Sequence, residues 1–388
     1  MSKIYVFAGR VHHVERLSSV VNLLIQKKHD VHFVTSDNYL NIDPNTSHLI
    51  QAGIPFIHIL DYLPTGNGAQ SMTADALRRI DHIADFVDPF YLAGSVREAS
   101  ESLLAFASLL TKESPDLVLG LHENNFWYRM LAYLCSRCNI PSVSFQEGTL
   151  RLRDEKTQGK QSIAADYSTK LMCWSDMSRM TYINAGVNPD KLVVTGISHL
   201  DPYMQPYNKQ QLVYNLGFDP NKSLSSFLLP QTHRYDGNWK SAISEMVGWA
   251  NNSGNQLALR FHPFEDESVS ENIRPVGKNV RIVSVNTLDL IRASSMVISQ
   301  HSTVAAETIA LGVPLVELDL DNFGVLESLA EQGVATLIRA GEISKLTDVL
   351  TGKIVVDADK LKAWSQNNLG PLDGHSTERV VEQLEVLL

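Results

Sequence analysis

The sequence predicts an α/β protein: two Rossmann-like, doubly wound domains facing a cleft, with a C-terminal helix returning to the first domain. Three observations predict it. Short apolar runs of strand length alternate with helical apolar spacing along most of the chain. The alternation stops over Asp201–Ser223 and then resumes. The length, 388 residues, suits two domains of roughly 150 to 200 residues.

The first domain, residues 1–200, opens on the strand run Ile4-Tyr5-Val6-Phe7-Ala8 and turns at Gly9-Arg10. Val14, Leu17, Val20, Val21 and Leu24 give helical spacing over Val14–Lys28, and Val31–Val34 returns as a strand. Ala52-Gly53-Ile54-Pro55 leads into a third strand, Phe56–Ile59. A long helical stretch, Ala74–Leu110, is expected to bend near Pro89. Strands at Asp116–Leu119, Ser142–Phe145, Leu171–Trp174 and Lys191–Gly196 follow, with a helix over Tyr128–Asn139. Strands alternating with helices at this spacing imply a parallel sheet with right-handed crossovers.

Residues 201–223 are rich in Pro, Asn, Gln and Tyr and lack strong periodicity, which predicts the interdomain linker. The second domain, 224–376, then reads strand Ser226–Leu229, helix Trp239–Asn251, strands Leu257–Phe261 and Val280–Ile282, and helix Thr287–Ala293. Strand Met296–Ser299, helix Val304–Leu311 and strand Leu315–Leu318 complete it. The last helix, 377–388, has no strand of its own half left to cross to, so it is expected to pack on the first domain.

Composition excludes several classes. Hydrophobic residues are 44% and charged residues 20% of the chain, which argues against long disorder. Acidic residues outnumber basic ones 43 to 33, a formal net charge of -10. Nucleic-acid affinity depends on neutralising phosphates with Lys and Arg, so no nucleic-acid partner is expected. The opening Met1–Phe7 is too short in apolar length for a signal peptide, and no run approaches the roughly 20 apolar residues that span a bilayer. Cys135, Cys138 and Cys173 are odd in number and unsuited to a disulfide framework. Cys135 and Cys138 form a Cys-x-x-Cys, but inside a helical pattern with no second pair, so a buried helix face is the simpler reading. A cytoplasmic protein without stable membrane insertion is expected.

Ligands of open parallel sheets bind outside the carboxyl ends of the strands, so the informative residues are those after each strand. Gly9-Arg10-Val11-His12-His13 follows the first strand, and the missing second and third glycines of a dinucleotide fingerprint argue against NAD. His12 and His13 are candidates for acceptor binding or proton transfer. His122, Glu123 and Asn124 stand at another strand end, and Gln146-Glu147-Gly148 at the next. Glu147 suits general acid or base work, with burial expected to raise its pKa; the bland alternative pairs it with Arg151 or Arg153. In the second half, Gln231-Thr232-His233-Arg234-Tyr235-Asp236 follows a strand, offering a proton donor, a phosphate clamp and a carboxylate nucleophile or base. The alternative there is that Asp236 caps the helix near Trp239.

His262-Pro263 ends another strand, the proline fixing the backbone so that the imidazole is aimed. Gln300-His301-Ser302-Thr303 delivers hydroxyls and the start of a helix, which favours a phosphate. Ordinary capping is the competing account. Glu307 lies one residue past the capping-box position of Thr303. Asp319-Leu320-Asp321 is the nearest approach to a metal motif and lacks ligand-rich neighbours, so a metal-independent reaction with no cofactor is expected.

Two sheet domains with Ser-Thr…Glu…Leu-Gly-Val-Pro in the second half resemble the two-domain nucleotide-sugar glycosyltransferases called GT-B. The resemblance implies that the first domain takes the acceptor, here through Arg10, His12, His13 and Glu123. It implies that the second takes the donor, here through Gln231, Arg234, His262, Pro263, His301, Ser302, Thr303 and Glu307. His262-Pro263 and Ser302-Thr303 are similar to bacterial transferases of CMP-activated acidic sugars. Gln146-Glu147-Gly148 and Gln231…Asp236 resemble the retaining beta-Kdo transferases of capsule and O-antigen assembly. That likeness implies Asp236 as nucleophile and Glu147 as proton-transfer group, beside the candidate proton donor His233, and a CMP-sugar donor, with a UDP-sugar as the alternative. It further implies a glycan or lipid-linked glycan acceptor at the inner face of the cytoplasmic membrane. A rival likeness joins Glu147-Gly148-Thr149-Leu150-Arg151 and His233-Arg234 to the Glu-Ala-Gly-Leu-Arg and His-Arg motifs of UDP-GlcNAc 2-epimerases. The Gly-Gly-x-x-Glu-Glu turn of that family is replaced here by His301-Ser302-Thr303, with Glu307 remaining.

Overall fold

The computed structural model describes residues 1–36, 53–64, 89–150, 164–229, 238–262, 278–300, 302–320, 327–352 and 357–388. The chain divides into two compact units. The first comprises Met1–Glu147, Gly159–Asp201 and His375–Leu388; the second comprises Gly148–Gln158 and Pro202–Gly374.

In the first unit, β1 (Lys3–Phe7), α1 (Val11–Gln26), β2 (Asp30–Thr35) and β3 (Phe56–His58) come first. Next come α2 (Pro89–Glu113), β4 (Leu117–Leu121), α3 (Phe126–Cys138) and β5 (Ser142–Phe145), then β6 (Lys170–Cys173), α4 (Asp176–Asn184) and β7 (Leu192–Val194). The sheet order is β3-β2-β1-β4-β5-β6-β7, every pairing parallel. The order reverses between β1 and β4, which makes that junction the switch point. Register aligns the tips there: Phe7 lies beside Gly120, and Gly120 beside Ser144.

Alternation explains the two faces of this sheet. Ile4, Val6, Phe33, Leu117 and Leu119 pack on Val14, Leu17, Val21 and Leu24 of α1. Tyr5, Phe7, Val34 and Val118 pack on Phe106 and Leu109 of α2 and on Tyr128, Leu131 and Cys135 of α3. Gly120 has to be glycine, because a Cβ there would run into the Tyr128 ring. Tyr128 is itself pinned by its hydroxyl, which donates to Val143 O at 2.7 Å. Cys135 is buried and Cys138 exposed, both as free thiols, as a helix with one buried face requires.

The second unit begins with α5 (Lys209–Asn215) and runs through β8 (Leu224–Leu228), α6 (Asn238–Ser253), β9 (Gln256–Arg260), β10 (Val280–Ile282) and α7 (Thr287–Ala293). It continues with β11 (Met296–Gln300), α8 (Thr303–Ala310), β12 (Leu315–Asp319), β13 (Thr336–Arg339), α9 (Leu346–Thr351) and α10 (Ala358–Leu369). Its order, β10-β9-β8-β11-β12-β13, is again all parallel and places the switch point between β8 and β11. Phe227, Leu257, Leu259, Ile298, Val316 and Leu318 form its core with Trp239, Ile243, Met246 and Trp249 of α6.

The expected linker changes, and the expected return of the C-terminal helix holds. Residues 202–223 belong to the second unit and hold a helix; the Tyr207 ring lies 3.6 Å from the Arg292 guanidinium, and the Tyr207 hydroxyl donates to Arg292 O at 2.9 Å. A segment stacked and hydrogen-bonded in this way is part of a domain, whatever its periodicity. The helix α2 is described over Pro89–Glu113; the expected portion from 74 to 88, and with it the bend near Pro89, lies outside the described residues. The C-terminal helix, Ser376–Glu385, belongs to the first unit and buries Val380, Val381 and Leu384 in the α1 side of its core. The Asp201 carboxylate accepts from Ser376 N at 3.1 Å, Thr377 N at 2.5 Å and Thr377 Oγ1 at 2.6 Å, capping that helix from 175 residues away. Among the described residues, no helix is long and apolar enough to cross a membrane.

Candidate active site

The aligned tips of β1, β4 and β5 bring four side chains together. The chain leaves β1 at Phe7, turns through Gly9-Arg10 and enters α1 at Val11, so His12 and His13 sit in the first helical turn. His122 follows β4 directly, and its N–H donates to Phe145 O at 2.9 Å, extending the ladder by one step. Gln146 extends β5 in the same way: its N–H donates to Met172 O at 3.0 Å while its side-chain oxygen accepts from Trp174 N at 2.9 Å. Glu147 is the next residue, so rigid sheet ends hold the cluster in place.

Glu147 is the hub. Its Oε1 lies 2.7 Å from His12 Nε2 and 3.8 Å from His13 Nε2, and its Oε2 pairs with His122 Nε2. The His12 and His13 rings meet edge to face at 4.6 Å. Gly9 N–H donates to His13 Nδ1 at 3.3 Å, which leaves the proton of the neutral His13 ring on Nε2, toward Glu147. His122 Nδ1 is buried and has no hydrogen-bond partner among the described residues.

Burial, and then the neighbouring His12, push the His13 pKa down to about 3, so His13 stays neutral at ordinary pH. For Glu147 burial acts upward, but hydrogen bonds from His12 and His122 outweigh it. The carboxyl is held well below the usual carboxylate range. This reverses the expectation from sequence that burial would raise it: imidazoles surround this carboxylate, and their hydrogen bonds favour the charged form.

Glu123 falls elsewhere. It is fully buried, and its oxygens accept from Tyr167 N and from Ser168 N at 2.6 Å, so it ties a loop together. Arg10 is exposed, in extended conformation ahead of α1. The functional residue the sequence left without a role is His122. It was placed at a strand end, but only the strand order shows that β4 neighbours both β1 and β5.

At the second switch point, β11 delivers Ser302 in extended conformation ahead of α8. Its side chain does not cap the helix, and its Oγ lies 3.4 Å from Ser299 Oγ. Thr303 opens the helix and Glu307 is buried within it. His262 follows β9 and is half-buried. Gln231, His233, Arg234, Asp236, Pro263 and His301 lie outside the described residues. Hydroxyls and first-turn N–H groups at such a point suit an anion.

No protein-family model and no curated protein matches this chain. Solved structures do. The chain is similar to the UDP-GlcNAc 2-epimerase of Methanocaldococcus jannaschii, in a structure with UDP-GlcNAc and UDP, at 15% identity over 99% of both chains with a TM-score of 0.65. It is similar to the Neisseria meningitidis UDP-GlcNAc 2-epimerase bound to UDP-GlcNAc, at 14% identity over 100% of both chains with a TM-score of 0.67. The calicheamicin glycosyltransferase also matches, at 14% identity over 100% of this chain and 98% of that one, with a TM-score of 0.61. The fold is thus the two-domain GT-B type, shared by epimerases and glycosyltransferases.

Proposed function

We propose that the chain is a nucleotide-sugar enzyme acting on a UDP-activated amino sugar, and that it inverts carbon 2 as UDP-GlcNAc 2-epimerases do. One observation carries the reading: an ionised Glu147 shared by His12 and His122 at the switch point of the first sheet. Inverting a carbon that bears hydrogen requires a group that removes the proton and one that returns a proton from the other side. Two imidazoles flanking one carboxylate offer such a pair. A carboxylate held so low is a weak base itself; its role is to orient the imidazoles and stabilise whichever becomes protonated. Proton transfer is therefore assigned to His12 and His122, and Glu147 is their positioning carboxylate.

The likeness of Glu147–Arg151 to the epimerase motif supports this reading, as do the UDP-GlcNAc complexes among the similar structures. Those complexes favour UDP over CMP, and nothing in them favours Kdo. The uncapped turn Ser302-Thr303 would take the diphosphate.

Sugar transfer to a glycan acceptor is the second reading. It is favoured by His301-Ser302-Thr303 standing where the epimerases carry glycines and paired glutamates, and it keeps Asp236 as nucleophile. One experiment separates the two. The chain is incubated with UDP-GlcNAc and no acceptor, and products are followed by NMR. Epimerised UDP-sugar, or UDP with free ManNAc, is expected. Unchanged UDP-GlcNAc, together with consumption of CMP-Kdo when a glycan acceptor is added, would overturn epimerisation in favour of transfer.

A further inference from the structure

Beside the Glu147 cluster, the carboxyl ends of β5, β6 and β7 close a small pocket within the first unit. Arg16, Gln146, Thr195, Ser198 and His199 are its polar lining, and Met172 and Trp174 belong to its apolar wall. Arg16 and His199 are half-buried, whereas Gln146, Thr195 and Ser198 are buried. Local structure fixes this lining. Gln146 Oε1 accepts from Trp174 N at 2.9 Å, and the chain turns off β7 at Gly196, whose φ of 87° suits glycine. The C-terminal helix braces that turn: Arg379 Nε donates to Thr195 O at 2.9 Å, and Thr377 Oγ1 donates to Ser198 O at 3.3 Å.

The lining selects an anion. It offers a guanidinium, an imidazole, an amide and two hydroxyls, all able to donate hydrogen bonds. Among the described residues, none that lines it is acidic. The cavity measures about 20 Å³, where a single water needs about 10–15 Å³. That space suits the two oxygens of a carboxylate and is too small for a phosphate with four oxygens or for a pyranose ring. The planar fork of an arginine matches a carboxylate in the same sense.

Position joins the pocket to the chemistry. Arg16 comes four residues after His12 on α1, so the two lie on one helix face, a turn apart. Gln146 immediately precedes Glu147. Burial and His12 do most to keep His13 neutral, and the Arg16 charge adds to them. One helical turn is about 5.4 Å, similar to the step across a pyranose from carbon 2 to a carboxyl group on carbon 5. We propose that this pocket takes the 6-carboxylate of the sugar, so that the preferred substrate is the UDP-activated uronate of an amino sugar. The substrate half rests on the epimerisation proposed above; carboxylate binding by the pocket does not.

The test compares UDP-N-acetylglucosaminuronate with UDP-GlcNAc on the full-length protein, two sugars that differ only in a carboxylate against a hydroxymethyl group. Calorimetry should show the uronate bound about 10-fold to 100-fold more tightly, and turnover followed by NMR should favour it by a similar factor in kcat/KM. Arg16→Gln and His199→Gln, checked for folding by circular dichroism, should each cut that preference by about fivefold or more. Arg16→Lys keeps the charge without the fork and should keep part of the preference. Arg137→Gln, at an exposed cation of the same unit, should keep all of it. Equal affinity for the two sugars, or a preference that both Gln variants leave intact, would overturn the pocket's role. Acetate that saturates wild type but not Arg16→Gln, beside equal affinity for the two sugars, would give the pocket to a free carboxylate and overturn the substrate assignment. Turnover of both sugars at equal kcat/KM would leave epimerisation standing without the pocket. Tighter uronate binding that depends on Arg16, with neither sugar turned over, would leave the pocket standing without epimerisation.

Discussion

In the first unit, the strands at the switch point and the one beside them end in His12, His13, His122 and Glu147; in the second, β11 ends in Ser302 and Thr303. Both sheets run in the same order about their reversal, so the backbone offers a ligand the same place in each. Among the described residues, what differs is whether the side chains there can hold a charge. Each unit also buries a carboxylate beyond solvent: Glu123 accepts from the Tyr167 and Ser168 N–H groups, and Glu317 from Ser328 Oγ at 2.7 Å and Ala330 N at 3.1 Å. Hydroxyls and main-chain N–H groups fix those two in place. Glu147 is partnered by rings that can themselves gain and lose protons, and a quarter of its side chain meets solvent. The three carboxylates thus differ in whether their partners can exchange protons.

The contrast can be broken most forcefully at Glu147. Glu147→Gln keeps the shape but removes the charge that holds both imidazoles, and kcat on UDP-GlcNAc should fall by about 10³-fold or more. If turnover survives with unchanged circular dichroism, the cluster is scaffolding after all. His12→Gln or His122→Gln removes one ring of the pair, and steady-state kinetics should show kcat reduced by about 10²-fold to 10³-fold with KM little changed. The second switch point should behave in the opposite sense: Ser302→Ala should raise KM for the UDP-sugar about threefold to tenfold and leave kcat near wild type. A kcat loss there as large as at His122 would erase the division of labour.

Strand order, more than strand existence, is what the amino acids concealed. Apolar runs such as Ile4–Ala8, Ser142–Phe145 and Met296–Ser299 announce their strands, and residues after them lie at the sheet tips as expected. β13, Thr336-Leu337-Ile338-Arg339, buries only Ile338 and gives no comparable signal. The amphipathic stripe of α10 is carried by few residues, Leu361, Trp364 and Leu369 among them, and is easily passed over. Adjacent His122 and Glu123 posed a harder question. One of the two reaches Glu147 and the other turns inward to a loop, and sequence does not say which, because the backbone course beyond the last ladder bond decides it.

The smallest expected effect concerns stability and separates the tips by pH. His13 is neutral when folded down to about pH 3 but takes a proton near pH 6.5 when unfolded. Unfolded chains therefore bind more protons across that window, and stability drops as pH falls from 6.5 toward 3. Glu147, whose folded pKa is depressed, adds its own loss only below its unfolded value near 4.5. Thermal midpoints recorded between pH 6.5 and 4.5 should fall in wild type and flatten in His13→Gln. Ser302→Ala should keep the wild-type slope, since no proton is exchanged at that hydroxyl.

The grip of Asp201 on Ser376 and Thr377 has a temporal side. A ribosome makes the chain from its amino end, so the apolar cladding carried by Val380, Val381 and Leu384 emerges only after the second unit. The α1 side of the first unit's core therefore lacks part of its cover for as long as residues 202–374 are being translated. Nascent chains that have finished their second half but not their terminal helix are the ones a holdase chaperone should find sticky.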